Sequence, residues 1–447
     1  MNKFYAFLEN RLAPVAAKLS AQRHLASVRD GIMLAMPFLI IGSVFMIIQY
    51  LPIPGYEDFM ANIFGAQWQV KLGYPVEASY NIMAILACFG VAYRLAEKYK
   101  TADPLMSGAV ALVSFILTIP QITSFTPEGS KTAYDVGGVI PTILTGSQGL
   151  FVAIVIALLA TEIFRIIFEK NWVIKMPAGV PEAVGKSFMA LIPGFITITT
   201  IWILRLLIEL TPFSSINEII STVIGIPMHY IGSTLPGMIV TVIIIALLWS
   251  IGLHGDAIIG AFTNPVWLAN MDANRAAFQA GKELPNIITQ QFYELWIVPG
   301  GTGALLGLVI LLFWRAKSKQ MKQLAKISGP ASVFNISEPM VFGVPIVLNP
   351  YFIIPFVLTP VILVIVTYFG MDSGLVAKPA GIALPWTTPP IISGFLATGG
   401  KISGSIMQII NILIAMLIYW PFFKVWDAQK YKEEQVLIHE EVGSPEK

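Results

Sequence analysis

Two ionisable residues stand in apolar surroundings that normally reject them. His254 lies in Trp249-Ser-Ile-Gly-Leu-His254-Gly255-Asp256, and Glu338 lies in Asn335-Ile-Ser337-Glu338-Pro339-Met-Val-Phe-Gly343. An imidazole or carboxylate at membrane depth is costly, and it usually serves a ligand, a proton path or a partner charge. Each stands beside helix breakers, Gly252 and Gly255 for the histidine, Pro339 and Gly343 for the glutamate. A side chain at the tip of a broken helix reaches a ligand, whereas one in mid-helix packs against its neighbours. The plainer alternatives are a histidine in an interfacial turn and a carboxylate that caps a helix.

Aromatic and amide side chains gather in the same half of the chain. Trp249, Trp267, Trp296 and Trp386 are each compatible with an interfacial belt. Trp386 differs because Ala383-Leu-Pro385-Trp386-Thr387-Thr388-Pro389-Pro390 cannot be a regular helix. An indole on a rigid turn beside two threonines suits stacking on the apolar face of a sugar ring. Asn264, Asn270, Gln290, Gln291 and Asn335 add neutral hydrogen-bonding groups. Tryptophan, amides and a single carboxylate together match a neutral polyhydroxylated ligand better than an ion or an amino acid.

These groups have to be positioned by elements that live in lipid. Of 447 residues, 56% are hydrophobic and 12% charged, against about 25% charged in an ordinary soluble domain. The class expected is therefore an all-α polytopic membrane protein. The charges fall in patches, Lys3 to Asp30, Arg94 to Asp103, Arg315 to Lys326 and Lys424 to Lys447. Apolar runs near 31–53, 80–97, 105–122, 141–168, 188–211, 214–235, 236–253, 296–314, 350–369 and 402–422 predict ten crossings. Lysine and arginine at alternate run ends place both termini on the cytoplasmic side. Phe4, Leu8, Leu12, Val15 and Leu19 recur at helical spacing and predict an amphipathic surface segment over 1–30.

Three stretches are too polar or too rich in Gly and Pro for plain spans: 254–295, 330–349 and 378–401. Irregular backbone at membrane depth survives where protein or a watery cavity satisfies it, as in transporter binding sites. The expected division is a scaffold and dimerisation half of five spans at 31–211, a substrate-binding half at 212–423 and a cytoplasmic tail at 424–447. Several chemistries are absent. There is no GxxxxGK[ST] loop, no Gly-rich dinucleotide turn and no metal-ligand spacing, because His24, His229, His254 and His439 lie far apart. No cofactor, no metal and no nucleic-acid partner is expected. Cys88, the single cysteine, reads as a small buried hydrophobe.

The runs Gly252-Leu253-His254-Gly255 and Asn335-Ile-Ser-Glu338-Pro339, followed by Phe342-Gly343-Val-Pro345 and Asn349-Pro350, resemble the membrane-spanning IIC permease of the phosphoenolpyruvate-dependent sugar phosphotransferase system. The likeness is to its lactose/cellobiose/diacetylchitobiose branch and extends over the whole chain, including Val180-Pro-Glu182-Ala-Val-Gly185-Lys186-Ser-Phe188. It implies about ten transmembrane helices, two re-entrant hairpins near 254–295 and 330–349, and a homodimer formed by the N-terminal half. It also implies a disaccharide carried to the cytoplasmic side of the bacterial membrane and phosphorylated at its 6-hydroxyl by a phosphocysteine on a separate IIB protein, with IIA upstream. A short acidic tail, Glu433 to Lys447, is expected to leave no room for a IIB domain, and Cys88 matches no phosphorylation motif. By the same resemblance Glu338 orients or deprotonates the hydroxyl, His254 assists it, Trp249 and Trp386 stack on the two sugar rings, and Asn335 hydrogen-bonds. A proton-coupled sugar transporter, with Glu338 and His254 as the relay, is the alternative, and a non-transporting membrane receptor a more distant one.

Overall fold

In the computed structural model, the structure describes residues 14, 18 and 21–443, apart from 52, 101, 102, 128–131, 178, 345 and 348. The expected amphipathic helix on Phe4, Leu8, Leu12, Val15 and Leu19 lies outside them. The rest is helical almost throughout, as lipid requires of a chain whose backbone groups must pair within their own segment. The N-terminal half runs through α1 (Arg23–Ile32), α2 (Met36–Gln49), α3 (Tyr56–Phe64), α4 (Trp68–Tyr80), α5 (Met83–Tyr99), α6 (Pro104–Thr118), α7 (Leu150–Glu169), α8 (Glu182–Met189) and α9 (Leu191–Glu209). Between α6 and α7 a two-stranded antiparallel hairpin, Ile122–Phe125 against Tyr134–Gly137, departs from the all-α expectation.

The C-terminal half continues with α10 (Ile226–Ser233), α11 (Leu235–Ser250), α12 (Gly255–Gln279), α13 (Leu306–Arg315), α14 (Lys319–Val333), α15 (Glu338–Gly343), α16 (Pro350–Asp372), α17 (Ile392–Ala397) and α18 (Ile402–Gly443). Several starts are written in the sequence. Asp103 accepts from the N–H groups of Leu105 and Met106 ahead of Pro104, and Asn349 accepts from Tyr351 ahead of α16.

Among the described residues six helical stretches are long and apolar enough to cross a bilayer, or seven if one bent pair counts as a span. Every predicted run falls on a helix, yet not every run makes a full crossing. The run 105–122 yields a helix of 15 residues, and 296–314 yields one of 10, because Pro299-Gly-Gly-Thr-Gly303 turns the backbone before Leu306. The runs 214–235 and 236–253 meet at an 80° bend. The irregular stretch expected at 254–295 begins instead with the continuous 25-residue α12. Its polar residues have fixed partners: Asn274 Nδ2 donates to the carbonyls of Asn286 and Pro379, each at 2.7 Å, while Oδ1 accepts from Asn286 N. The segments 330–349 and 378–401 are broken as expected, with short helices α15 and α17 inside them.

The halves are joined by a buried polar network. Ser43 Oγ and Tyr80 OH lie 2.7 Å apart, Tyr80 OH donates to Gly381 O at 3.1 Å, and Ala383 N donates to Ser43 Oγ at 2.7 Å. Alongside, Arg275 lies 4.6 Å over the Tyr80 ring and pairs with Asp272, which accepts from Ser147 Oγ at 2.6 Å. At the other end of the molecule α18 extends past the expected end of its span and holds the start of α14. Asp427 accepts from the N–H groups of Lys317 and Ser318, and Glu434 from Ser318 Oγ and the N–H groups of Lys319 and Gln320.

The network predicts the behaviour of Tyr80→Phe. The change strips Gly381 O of its donor at a fully buried site, so it should destabilise the folded protein by about 1–3 kcal/mol. Thermal unfolding of detergent-purified protein measures this, and an unchanged midpoint would contradict the bridging role.

Candidate functional site

Helix ends converge on one point. After Trp249, α11 gives way to a turn at Ile251–Leu253 in which Gly252 adopts a φ of 80°. His254 then caps α12: its Nδ1 accepts from Ala257 N at 3.1 Å. The capping alternative therefore holds for the histidine rather than for Glu338. With Nδ1 an acceptor, the tautomer assigned from this bond carries its proton on Nε2, free to donate to a ligand. The imidazole also packs against Trp249, ring centroids 4.6 Å apart at 46°.

Glu338 is placed from the other side. After α14 the chain reverses through Asn335, whose φ of 61° is left-handed, a conformation asparagine tolerates better than most residues. Its side chain holds three backbone groups: Oδ1 accepts from Gly300 N at 2.8 Å, and Nδ2 donates to the carbonyls of Trp386 at 2.7 Å and Thr388 at 3.2 Å. The glycine loop fits against this turn closely. A Cβ on Gly301, where φ is 87°, would stand 2.5 Å from Ser337 Cβ, so only glycine serves there. Glu338 opens α15 with Pro339 behind it. It is exposed to the cavity and has no hydrogen-bond or ion-pair partner among the described residues.

These residues share a cavity of about 410 Å³, within the range of small-molecule sites. Trp249, His254, Asn335, Glu338 and Trp386 all line it. Trp386 presents an indole that is 46% exposed, whereas Trp249 is 4% exposed and forms a wall behind His254. Asn335 reaches the cavity with its amide already committed to backbone. Asn264 and Trp267 also line it. Trp296, Asn270, Gln290 and Gln291 do not. Trp296 Nε1 donates to Gly404 O, Asn270 to Ser233 and Ile288, and Gln290 to Glu294.

Sequence reasoning passed over three charged residues of the wall. Asp256 is a hub, its carboxylate accepting from Trp249 Nε1 and Thr302 Oγ1, each at 2.7 Å, and from the Tyr293 hydroxyl. An acid in the first turn of a helix that follows a candidate histidine was the available signal. Glu294, in a π-helical turn at Phe292–Ile297, accepts from Gln290 Nε2 at 2.9 Å. Arg29 enters from α1, a helix of the other half. The arrangement provides one unpartnered carboxylate, one imidazole donor and one open indole face, the set needed to grip a hydroxylated ring and draw a proton from one of its hydroxyls.

Comparison with known proteins places the whole chain in a family. The family model "Phosphotransferase system, EIIC" matches residues 29–360. Over 437 residues the chain is 54% identical to the lichenan permease IIC component of Bacillus subtilis, covering 98% of this chain and 96% of that protein. It is likewise 54% identical to the cellobiose-specific EIIC component of Geobacillus stearothermophilus, covering 97% of each. The crystal structure of ChbC, the IIC component of an N,N'-diacetylchitobiose-specific phosphotransferase system, superposes with a TM-score of 0.93 at 52% identity, over 96% of this chain and 99% of that one. A chain matched in sequence over nearly its full length, with the same fold, belongs to the EIIC family of the phosphotransferase system.

Proposed function

We propose that the protein is the permease subunit for a β-linked disaccharide of the cellobiose or diacetylchitobiose type in the bacterial cell membrane. It binds the sugar in the cavity described above, carries it to the cytoplasmic side and holds its 6-hydroxyl for phosphorylation by a cysteinyl phosphate on a IIB partner, which IIA recharges. The observation that carries the reading is the unpartnered Glu338 carboxylate facing the same cavity as His254 Nε2 and the exposed ring of Trp386. Glu338 accepts the hydroxyl hydrogen bond and takes the proton as phosphorus is attacked. His254 donates to a neighbouring sugar oxygen, Trp386 stacks on a ring, Trp249 lines the wall behind the histidine, and Asn335 holds the Trp386 turn against Glu338.

The rest of the reading follows the family. The subunit works as a homodimer through the 31–211 half, ten crossings and two re-entrant segments near 254–295 and 330–349 leave both termini cytoplasmic, and 424–447 forms the cytoplasmic end. The names of the relatives support the substrate class. Proton-coupled uptake of unmodified sugar is not favoured by membership of a family whose members are phosphotransferase components.

Three outcomes test the proposal. Glu338→Gln should lower sugar-phosphate formation by about 10²-fold or more while retaining most sugar affinity, measured with membranes and phosphorylated IIB; a normal rate would remove the assigned role. Trp386→Ala should weaken binding by about 0.5–1.5 kcal/mol, read as Kd by titration calorimetry, and an unaltered Kd would dismiss the stacking. On the purified protein, cellobiose and N,N'-diacetylchitobiose should each bind more tightly than lactose, and preference for lactose would reverse the substrate assignment.

A further inference from the structure

Arg29 is an unexpected member of the cavity wall. Four charged residues line the cavity among the described residues, the cation Arg29 and the acids Asp256, Glu294 and Glu338. Asp256 is occupied by three donors and Glu294 by Gln290, which leaves Glu338 as the open acid. A neutral sugar has no need of a cation there. A phosphoryl group, carrying nearly two negative charges at neutral pH, does.

The arginine is also built in. It stands on α1, which packs on α5 through bare backbone: a Cβ on Gly90 would stand 2.5 Å from Gly31 O, and one on Gly31 2.3 Å from Val91 N. Asp30 takes one edge of the guanidinium, its Oδ1 lying 2.7 Å from Arg29 Nε and 2.6 Å from the second terminal nitrogen. Asp30 Oδ2 is itself held by Lys98 Nζ at 2.8 Å. The remaining terminal nitrogen, Nη1, has no partner among the described residues. An arginine fixed along one edge with open donors on the other is the geometry that receives phosphate oxygens.

We propose that Arg29 is the phosphoryl-binding residue of this site, contributed by α1 near the N-terminus to a cavity whose sugar-binding groups come from the C-terminal half. The assignment rests on the reading of the cavity given above. In the transfer, the O–H bond of the 6-hydroxyl breaks with its proton passing to Glu338, a bond forms between that oxygen and phosphorus, and the P–S bond of the cysteinyl phosphate breaks to leave a thiolate on the partner. Arg29 balances the charge on the oxygens of phosphorus throughout and holds the same oxygens in the product.

The test uses the full-length permease in membranes with phosphorylated IIB. Arg29→Gln should reduce the rate of cellobiose phosphate formation about tenfold or more, with the Kd for cellobiose unchanged and with part of the rate restored in Arg29→Lys. Competition against labelled cellobiose gives a second reading that needs no turnover. Cellobiose phosphorylated at the 6-hydroxyl should compete at least about tenfold less well in Arg29→Gln than in the parent. A parent rate of transfer in Arg29→Gln, or an undiminished affinity for the phosphorylated sugar, overturns the assignment. Equal loss of affinity for cellobiose and for its phosphate also overturns it, since that marks a structural role. If the unmodified protein binds cellobiose but forms no sugar phosphate, the functional reading fails and this assignment falls with it.

Discussion

The side-chain amide of Asn335 is the contact on which the cavity tip depends. An amide offers one acceptor and two donor hydrogens, and here the acceptor holds Gly300 of the glycine loop while the donors hold Trp386 and Thr388 of the proline-rich turn. None of those backbone groups belongs to a regular helix, so none finds its partner within its own segment. The glycine loop, the proline-rich turn and the end of α14 are therefore stable at this depth only in one another's company. The left-handed backbone of Asn335 is maintained by the same three bonds, so turn and tie support each other.

The site separates structural acid from chemical acid. Asp256, saturated by an indole, a phenol and a threonine hydroxyl, links α11, α12 and the loop after the π-helical turn, and it has little capacity left for a ligand. Glu338 is the reverse, positioned by backbone and left without a partner. Two carboxylates close in kind thus differ in availability because of what surrounds them. The network of Ser43, Tyr80, Asp272 and Arg275 performs a structural task between the halves, adding one charge pair and hydroxyls to the apolar packing that runs through both. Polar contacts of this type are specific in geometry, and so fix the register in which the two halves pack.

The sequence reveals those features that break a local rule. His254, Glu338 and Trp386 are conspicuous because an ionisable group or a Pro-flanked indole is improbable in an apolar run, and the structure brings all three to one cavity. Satisfied residues were misread. The polar content of 254–295 sets it apart from the plain spans, yet Asn270, Asn274, Asp272 and Arg275 each have a fixed partner and the backbone is helical from Gly255 to Gln279. Asp256 was overlooked because its partners Tyr293 and Thr302 are distant in the chain, a relation that spacing cannot display. Arg29 looked like one more cytoplasmic charge, since nothing local distinguishes an arginine that lines a cavity from one that meets lipid headgroups. Helix lengths were the other failure: hydropathy marks where a span begins, but the glycines of 300–303 shorten α13 without lowering the apolarity of the run.

One helix connects the membrane to the water beyond it. At 42 residues α18 is about 60 Å long, given a rise of ~1.5 Å per residue. Within the bilayer its Gln408 accepts from the N–H groups of Ile391 and Gly394 and donates to Leu295 O, and so grips the segment that follows Trp386. At its far end Asp427 and Glu434 grip the start of α14, whose other end carries the Asn335 turn and then Glu338. Two rods pinned together at Asp427 and Glu434 therefore hold the two sides of the cavity at their other ends, in the manner of tongs. A small change of angle at the pinned end becomes a change of width at the jaws, so Asp427 and Glu434 have mechanical leverage over a site they do not touch.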